Sequence, residues 1–371
     1  MDVVERARQT AVTVSQAADE AERMRRLPSG TVAVLADAGL LTLCLPRAYG
    51  GPGISPVELI DAVTELARGD GAAGWCAAIA STTSSMAAFL APDAAATVYP
   101  STATATGGVF APNGRGVRVD DGFSVTGRWQ WGSGTQHCAW IVGGAMCDDG
   151  TQRTCFFPAA DVQFHDTWHS VGLRGTGSLD FSVEGAQVAD RFTVRAGVAT
   201  AHVDEPLARF PNFTLLAIGI AAVAIGVARR ALDELVTIAA SKTPQFSSRT
   251  LANSGFAQTE LARAEAQWRS ARAYLRDEVG SAWETACAGV PVPVEARVAI
   301  RLAAAHAVSS CVAVTDTAFT LAGGTAVYET SVLGRCVRDV HVMTQHIMVA
   351  PKLNETLGKH LLGAEFDASM I

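Results

Sequence analysis

The spacing of apolar positions changes twice along the 371 residues. From Val3 to about residue 100, apolar side chains recur three and four apart, as in "TVAVLADAGLLTL", the period of a helix with one buried face. Gly39 stands where that pattern stops, and Ser55-Pro56 has the order of a cap followed by a first-turn proline, so a helix is predicted to open there. The stretch "LPRAYGGPGISP" before it is a loop punctuated by glycine and proline, and "GAAGWCAAIASTTSSMAAFLA" after it is predicted as a further helix. Between about 101 and 200 the period falls to two. Runs such as "FSVTGRWQW", "AWIVGGAMC" and "LDFSVEGAQV" are rich in β-branched and aromatic residues and predict an antiparallel β domain. From about 201 onward helical spacing returns in three segments of about thirty residues, which predict a four-helix bundle. The chain therefore reads as α+β and mainly α, with an N-terminal helical domain (1–100), a central β barrel or sandwich (101–200) and a C-terminal bundle (201–371).

Composition narrows the functions open to it. Hydrophobic residues make up 49% and charged residues 18%, and much of the apolar excess is alanine, which lets helices pack closely. The net charge of -7 comes without any basic block, which argues against a nucleic-acid partner. The longest apolar run, residues 215–228, falls short of the roughly 20 residues that cross a bilayer, so it reads as a fully buried helix with no membrane partner. A charged N-terminus without an apolar core, and eight dispersed cysteines without a CxxC pair, lead to the expectation of a cytoplasmic protein with reduced thiols.

Familiar catalytic motifs do not account for the chain. The eight histidines include no HExxH, His165 and His169 have no third ligand nearby, and no metal is expected. There is no GxSxG elbow, and "RGTGS" at 174–178 lacks the lysine of a phosphate loop. What remains is "GRWQWGSGTQHCAW", residues 127–140. Trp129 and Trp131 are two apart and so would share one face of a strand, while Gly132 and Gly134 would open backbone N–H groups. A planar heteroaromatic ligand needs both a plane and donors. A pair of core tryptophans is the alternative these residues leave open.

The order helices, β domain, long helices, together with "AGLLTLCLPRAYGG", "SVTGRWQWGSGTQHCAW", "DTWHSVGLRGTGSLDFSVEGAQV", "LAGGTAVYETSVLGRCVRD" and "TQHIMVAPKLNETLGKHLLG", resembles the acyl-CoA dehydrogenase superfamily over nearly the whole chain. In that family a flavin ring lies between the β domain and the bundle. The resemblance implies that Trp131 supports the ring, that Ser133 and Gly134 donate to it, and that Thr176 and Ser178 contact the flavin or its phosphate. It also implies that Gly323 and Gly324 mark where a neighbouring subunit approaches the dinucleotide. Lys242, Ser247 and Arg249 lie near the place of the adenine diphosphate, and FMN and FAD stay open.

One departure redirects the chemistry. The register of the family's usual proton-abstracting glutamate falls on Ile347, and no carboxylate lies between Asp339 and Glu355. A thioester α-proton is weakly acidic, so losing a positioned base removes a large rate factor. Gln345 and His346, with the Trp75 segment, resemble instead the two-component flavin-dependent monooxygenase branch. Such oxygenases take reduced FMN or FAD from a separate reductase, react it with O2 to a C4a-hydroperoxide and hydroxylate a small aromatic or secondary metabolite. The resemblance makes His346 and Ser133 catalytic, with His346 as an acid/base titrating near neutral pH, and places Trp75, Thr83 and Gln345 at the substrate. Thr83 stands where phenol-hydroxylating relatives often carry a histidine. The resemblance further implies a homotetramer built as a dimer of dimers. The alternative is an acyl-thioester oxidoreductase with an atypical base such as Glu205 or Glu329.

Overall fold

The computed structural model describes every residue except Met1 and Met370. Its N-terminal part holds α1 (Val3–Met24), α2 (Ser29–Asp37), α3 (Pro56–Gly69), α4 (Gly71–Ser84) and α5 (Pro92–Val98). The predicted start at Pro56 is present, with Ser55 and Glu58 forming a reciprocal capping box, and Gly39 follows α2 at φ +65°. Asp70 ends α3 and caps α4, its carboxylate accepting the Ala73 N–H at 3.0 Å.

The β domain is a single seven-stranded sheet, β5-β6-β2-β1-β3-β4-β7, made from β1 (Thr106–Val119), β2 (Gly122–Gly132), β3 (Trp140–Cys147), β4 (Gln152–Pro158), β5 (Gln163–His165), β6 (Leu179–Ala189) and β7 (Thr193–Arg195). The antiparallel expectation is corrected at one place: β1 and β3 run parallel, which makes the sheet mixed. Alternation within a strand reports which face is buried but not which way its neighbour runs. The sheet is built around Trp129, which is fully buried, stacks on Phe181 with centroids 5.1 Å apart and donates its indole N–H to Gly144 O at 2.9 Å. Gly114, Gly127 and Gly143 make room for that ring, since a Cβ on any of them would come within 3 Å of it.

The C-terminal part carries α6 (Asn212–Ser241), α7 (Gly255–Cys287), α8 (Val294–Ala322), α9 (Val332–Met343) and α10 (Leu353–Leu361). Every residue from Thr214 to Ala228 is buried. At 30 residues α6 is longer than its apolar run suggested, and by length and composition alone it could cross a membrane. Here its apolar half is the centre of the protein. Gly226 lets α6 touch the backbone of α3, where a Cβ would meet Thr64 O at 2.4 Å. All eight cysteines are free, and only Cys287 is exposed.

Candidate functional site

The β2 strand ends in an irregularity that separates its two tryptophans. Trp129 pairs with Phe181 and Gly132 with Leu179, so one extra residue is accommodated on β2. Trp131 sits in that bulge at φ +65° and is 67% exposed. The expectation that Trp129 and Trp131 share a face is therefore corrected: Trp129 is core, and Trp131 offers an open indole plane at the rim. The core reading fits Trp129 alone, and Trp131 is left exposed.

Behind Trp131 lies a chain of hydroxyls. The Trp75 indole on α4 donates to Ser133 Oγ at 2.9 Å, Ser133 meets Ser178 at 2.7 Å, Ser178 meets Thr176 at 2.6 Å, and Thr176 donates to Leu173 O at 2.8 Å. The two ends fix the direction of the whole chain. An indole N–H can only donate and a carbonyl can only accept, while each hydroxyl between them has a single proton. Thr176 gives its proton to Leu173 and so accepts from Ser178, and Ser178 accepts from Ser133. Ser133 therefore turns its proton toward Ser178 and keeps one lone pair beyond the one that Trp75 occupies.

Two implied donors are corrected by this geometry. Ser133 has already given its proton to Ser178, and the Gly134 N–H is already given to Thr176 O at 2.9 Å. The Ser133 N–H is likewise turned inward, onto Trp131 O at 2.9 Å.

His346 closes the group from the bundle side. It follows α9 in a turn, and its ring meets Trp75 edge-on at 5.7 Å between centroids. Its Nδ1 accepts the Met348 N–H at 3.3 Å, which leaves the proton of the neutral ring on Nε2. The Met348 carbonyl in turn accepts from Arg301 at 3.0 Å, so the backbone of one residue ties the imidazole to a fully buried arginine. Burial first, and the Arg301 cation second, push the His346 pKa down to about 4. The expected near-neutral titration is corrected: His346 is a neutral N–H donor across the physiological range.

The remaining implied residues fall into other places. Thr83 is buried and donates its hydroxyl to Ile79 O at 2.8 Å, and Gln345 is exposed, donating to Thr344 Oγ1 at 2.9 Å. Arg249, Gly323 and Gly324 are exposed at the far end of the bundle. There Lys242 joins the two loops by bonding Ala322 O and Thr325 Oγ1. His165 is paired with Ser182 at 2.8 Å, and the His169 ring lies against Arg25. Glu205 spends both carboxylate oxygens on the Arg47 and Ala48 amides, and Glu329 is exposed in a turn. Neither of the two carboxylates considered as atypical bases is joined to the rim.

Sequence reading missed Arg301 and the grip on Leu173. A lone charge inside the apolar run "VAIRLAAAHA" was a signal for the first. Asp339 accepts the Leu173 N–H at 2.6 Å across 166 positions, and no local pattern announces that contact.

An exposed indole, an inward-wired serine and a neutral imidazole thus come together around Trp75, where the β sheet meets the α-helical bundle. The match to known proteins gives the class a name. The family model of the acyl-CoA dehydrogenase N-terminal domain matches residues 2–103, and that of the C-terminal domain matches residues 218–351. The chain is 32% identical to an indole-3-acetate monooxygenase of Pseudomonas putida over 354 residues, covering 93% of this chain and 90% of that protein. It is 30% identical to the flavin-dependent monooxygenase oxygenase subunit HsaA of Mycobacterium tuberculosis, covering 93% and 91%. The crystal structure of the 3-HSA hydroxylase from Rhodococcus sp. RHA1 superposes with a TM-score of 0.93 at 27% identity, covering 100% of this chain and 99% of that one. The protein belongs to the acyl-CoA dehydrogenase superfamily, in its flavin-dependent monooxygenase branch.

Proposed function

We propose that this protein is the oxygenase component of a two-component monooxygenase that takes reduced FMN or FAD from a separate reductase and hydroxylates a small aromatic substrate. The observation that carries the reading is the meeting of Ser133 and His346 on the Trp75 indole, with a neutral imidazole beside Ile347, the register where the family's carboxylate base is expected. A bound reduced flavin would supply the two electrons that activate O2, one oxygen atom going to the substrate and the other leaving as water. The chain's own residues do the rest. Trp131 gives the ring a surface to lie on, and Ser133 accepts a hydrogen bond from its edge. Trp75 and the buried α4–α6 contact keep water out. His346 Nε2–H donates to an oxygen that gains negative charge as transfer proceeds.

The substrate is an indole-like heteroaromatic in preference to a phenolate. The hydroxyls of Thr82, Thr83, Ser84 and Ser85 on the α4 side are all given to helix carbonyls. They offer lone pairs to an N–H or O–H but no donor to an anion. The relative named for indole-3-acetate supports the same class.

A homotetramer fits the exposed bundle end, where Phe246, Phe256, Val327 and Tyr328 stand in solvent beside an apolar groove along Leu235, Leu251 and Leu321. A cytoplasmic location fits a reductase partner that supplies a diffusible reduced flavin. The deciding assay supplies photoreduced flavin to the purified protein with a panel of indoles and phenols, and measures hydroxylated product against hydrogen peroxide. Product from an indole supports the proposal. Peroxide alone with every substrate, or reduction of an acceptor by an acyl thioester, overturns it.

A further inference from the structure

The wired serine raises a question of control, because a hydroxyl chain can in principle run in either direction. Reversed, Ser133 would donate outward. What holds it in one sense is the Leu173 carbonyl, which receives Thr176 Oγ1–H at 2.8 Å, Thr176 N–H at 3.1 Å and the Trp168 indole N–H at 3.1 Å. Leu173 is a buried non-glycine residue at φ +50°, a strained conformation that persists only where its surroundings impose it. Two contacts impose it. Gly172 lies against the backbone of α9, where a Cβ would meet Arg338 O at 2.3 Å, and the Leu173 N–H is taken by Asp339 Oδ1 at 2.6 Å. Asp339 is itself 3% exposed, and its bond to Leu173 joins α9 to the loop. The mechanism above gives it nothing to do.

The geometry points to Asp339 as a positioning residue that sets the polarity of Ser133: by gripping the Leu173 amide it fixes the carbonyl that draws the Thr176, Ser178 and Ser133 protons inward. This rests on the reading that a flavin edge meets Ser133. The consequence is selectivity for oxidation state. A reduced flavin carries an N–H at N5, where the oxidised ring carries a bare lone pair. An inward-wired Ser133 accepts from the first and opposes the second. The site thus favours the form of the cofactor that can react with O2 and lets go of the oxidised product.

The test is anaerobic equilibrium binding of photoreduced and oxidised FMN and FAD, followed by tryptophan fluorescence, for the wild type, Thr176→Val, Asp339→Ala and Asp339→Asn. Thr176→Val removes the link to Leu173 and frees Ser178 and Ser133 to turn round. Asp339→Ala releases Leu173, while Asp339→Asn keeps an oxygen for its N–H. The wild type is expected to bind reduced flavin at least tenfold more tightly than oxidised. Thr176→Val and Asp339→Ala should shrink that ratio by about tenfold, the worth of one hydrogen bond of about 1.4 kcal/mol, and Asp339→Asn should restore most of it. Equal weakening of both forms, with the ratio unchanged, would make Asp339 merely structural and overturn the inference while leaving the flavin site intact. Failure of the wild type to bind either form would overturn the flavin reading itself. Should Asp339→Ala not fold, Thr176→Val alone still decides the polarity.

Discussion

The rim at Trp131 and the far end of the bundle are both places where family resemblance puts the cofactor, yet they are built in opposite ways. At the rim nearly every polar group is spent: Trp75, Ser133, Ser178, Thr176, Leu173 and Asp339 form one continuous hydrogen-bonded path inside a single chain. At the bundle end Phe246 is fully exposed at φ +63°, and Phe256 and Tyr328 are more than two-thirds exposed. One region is finished before any ligand arrives. The other leaves aromatic surface for something else to cover. Fixed polarity costs reorganisation energy when it is wrong and saves it when it is right, so chemistry belongs at the finished site. A surface that needs a partner can remain open until the partner comes.

The contrast is broken most strongly beneath the rim. Trp129→Ala should cost about 3–5 kcal/mol, because the three glycines packed on the ring cannot fill the cavity. Trp131→Ala, two residues on, should leave the melting temperature nearly unchanged and weaken flavin binding instead. Thermal melts beside flavin titrations check the pair, and equal destabilisation by both would show that the bulge does not separate them.

His346→Ala comes next. Hydroxylated product should fall by about a hundredfold while reduced flavin still binds, with peroxide release taking its place. His346→Asn, which keeps an N–H, should recover part of the loss. Because His346 is held at about 4, the pH–rate profile should show no inflection from it between about pH 5.5 and 7.5. An inflection near 6.5 that disappears in His346→Asn would restore the acid/base role.

At the bundle end, Phe246→Ser with Arg249→Ala should leave the unfolding of the isolated chain unchanged and lower the assembly mass measured by light scattering. An unaltered mass and unaltered flavin affinity would remove that surface from the account.

The smallest effect concerns stability and pH. Burial, chiefly, pushes Asp339 up to about 8, with Asp70 and Glu22 adding to it and the Leu173 N–H and Arg335 opposing it. The folded chain then holds the Asp339 proton more tightly than the unfolded chain does. Its contribution is full below the ordinary value of 3.8 and is lost as pH rises toward about 8. Buried His346 and His137, both held near 4, act in the opposite sense below their ordinary value of 6.5. Melting temperatures of Asp339→Asn should therefore fall less than those of the wild type between about pH 6.5 and 8.5. Parallel curves would contradict the assignment.

Local rules carried the sequence reading as far as local causes reach. The cap at Ser55, the stop at Gly39 and the change of period at the β domain were legible because each depends on a few neighbouring residues. The parallel pairing of β1 with β3, the bulge that turns Trp131 outward, and the Asp339–Leu173 bond were not. Each depends on residues brought together only by the finished fold. The resemblance pointed to the residues Trp131, Ser133, Thr176, Ser178 and His346, but the proton placement it implied for Ser133 and His346 differs from the one their partners impose. Whether a serine donates or a histidine titrates is set by partners far along the chain.

The central claim is that a reduced flavin lies on Trp131 with its edge accepted by Ser133. A crystal structure of the protein grown anaerobically with photoreduced flavin tests it most directly. The account predicts an isoalloxazine in contact with the Trp131 indole, with its N5 about 3 Å from Ser133 Oγ. A flavin bound elsewhere, or one whose ring edge meets a carboxylate in place of Ser133, would contradict it.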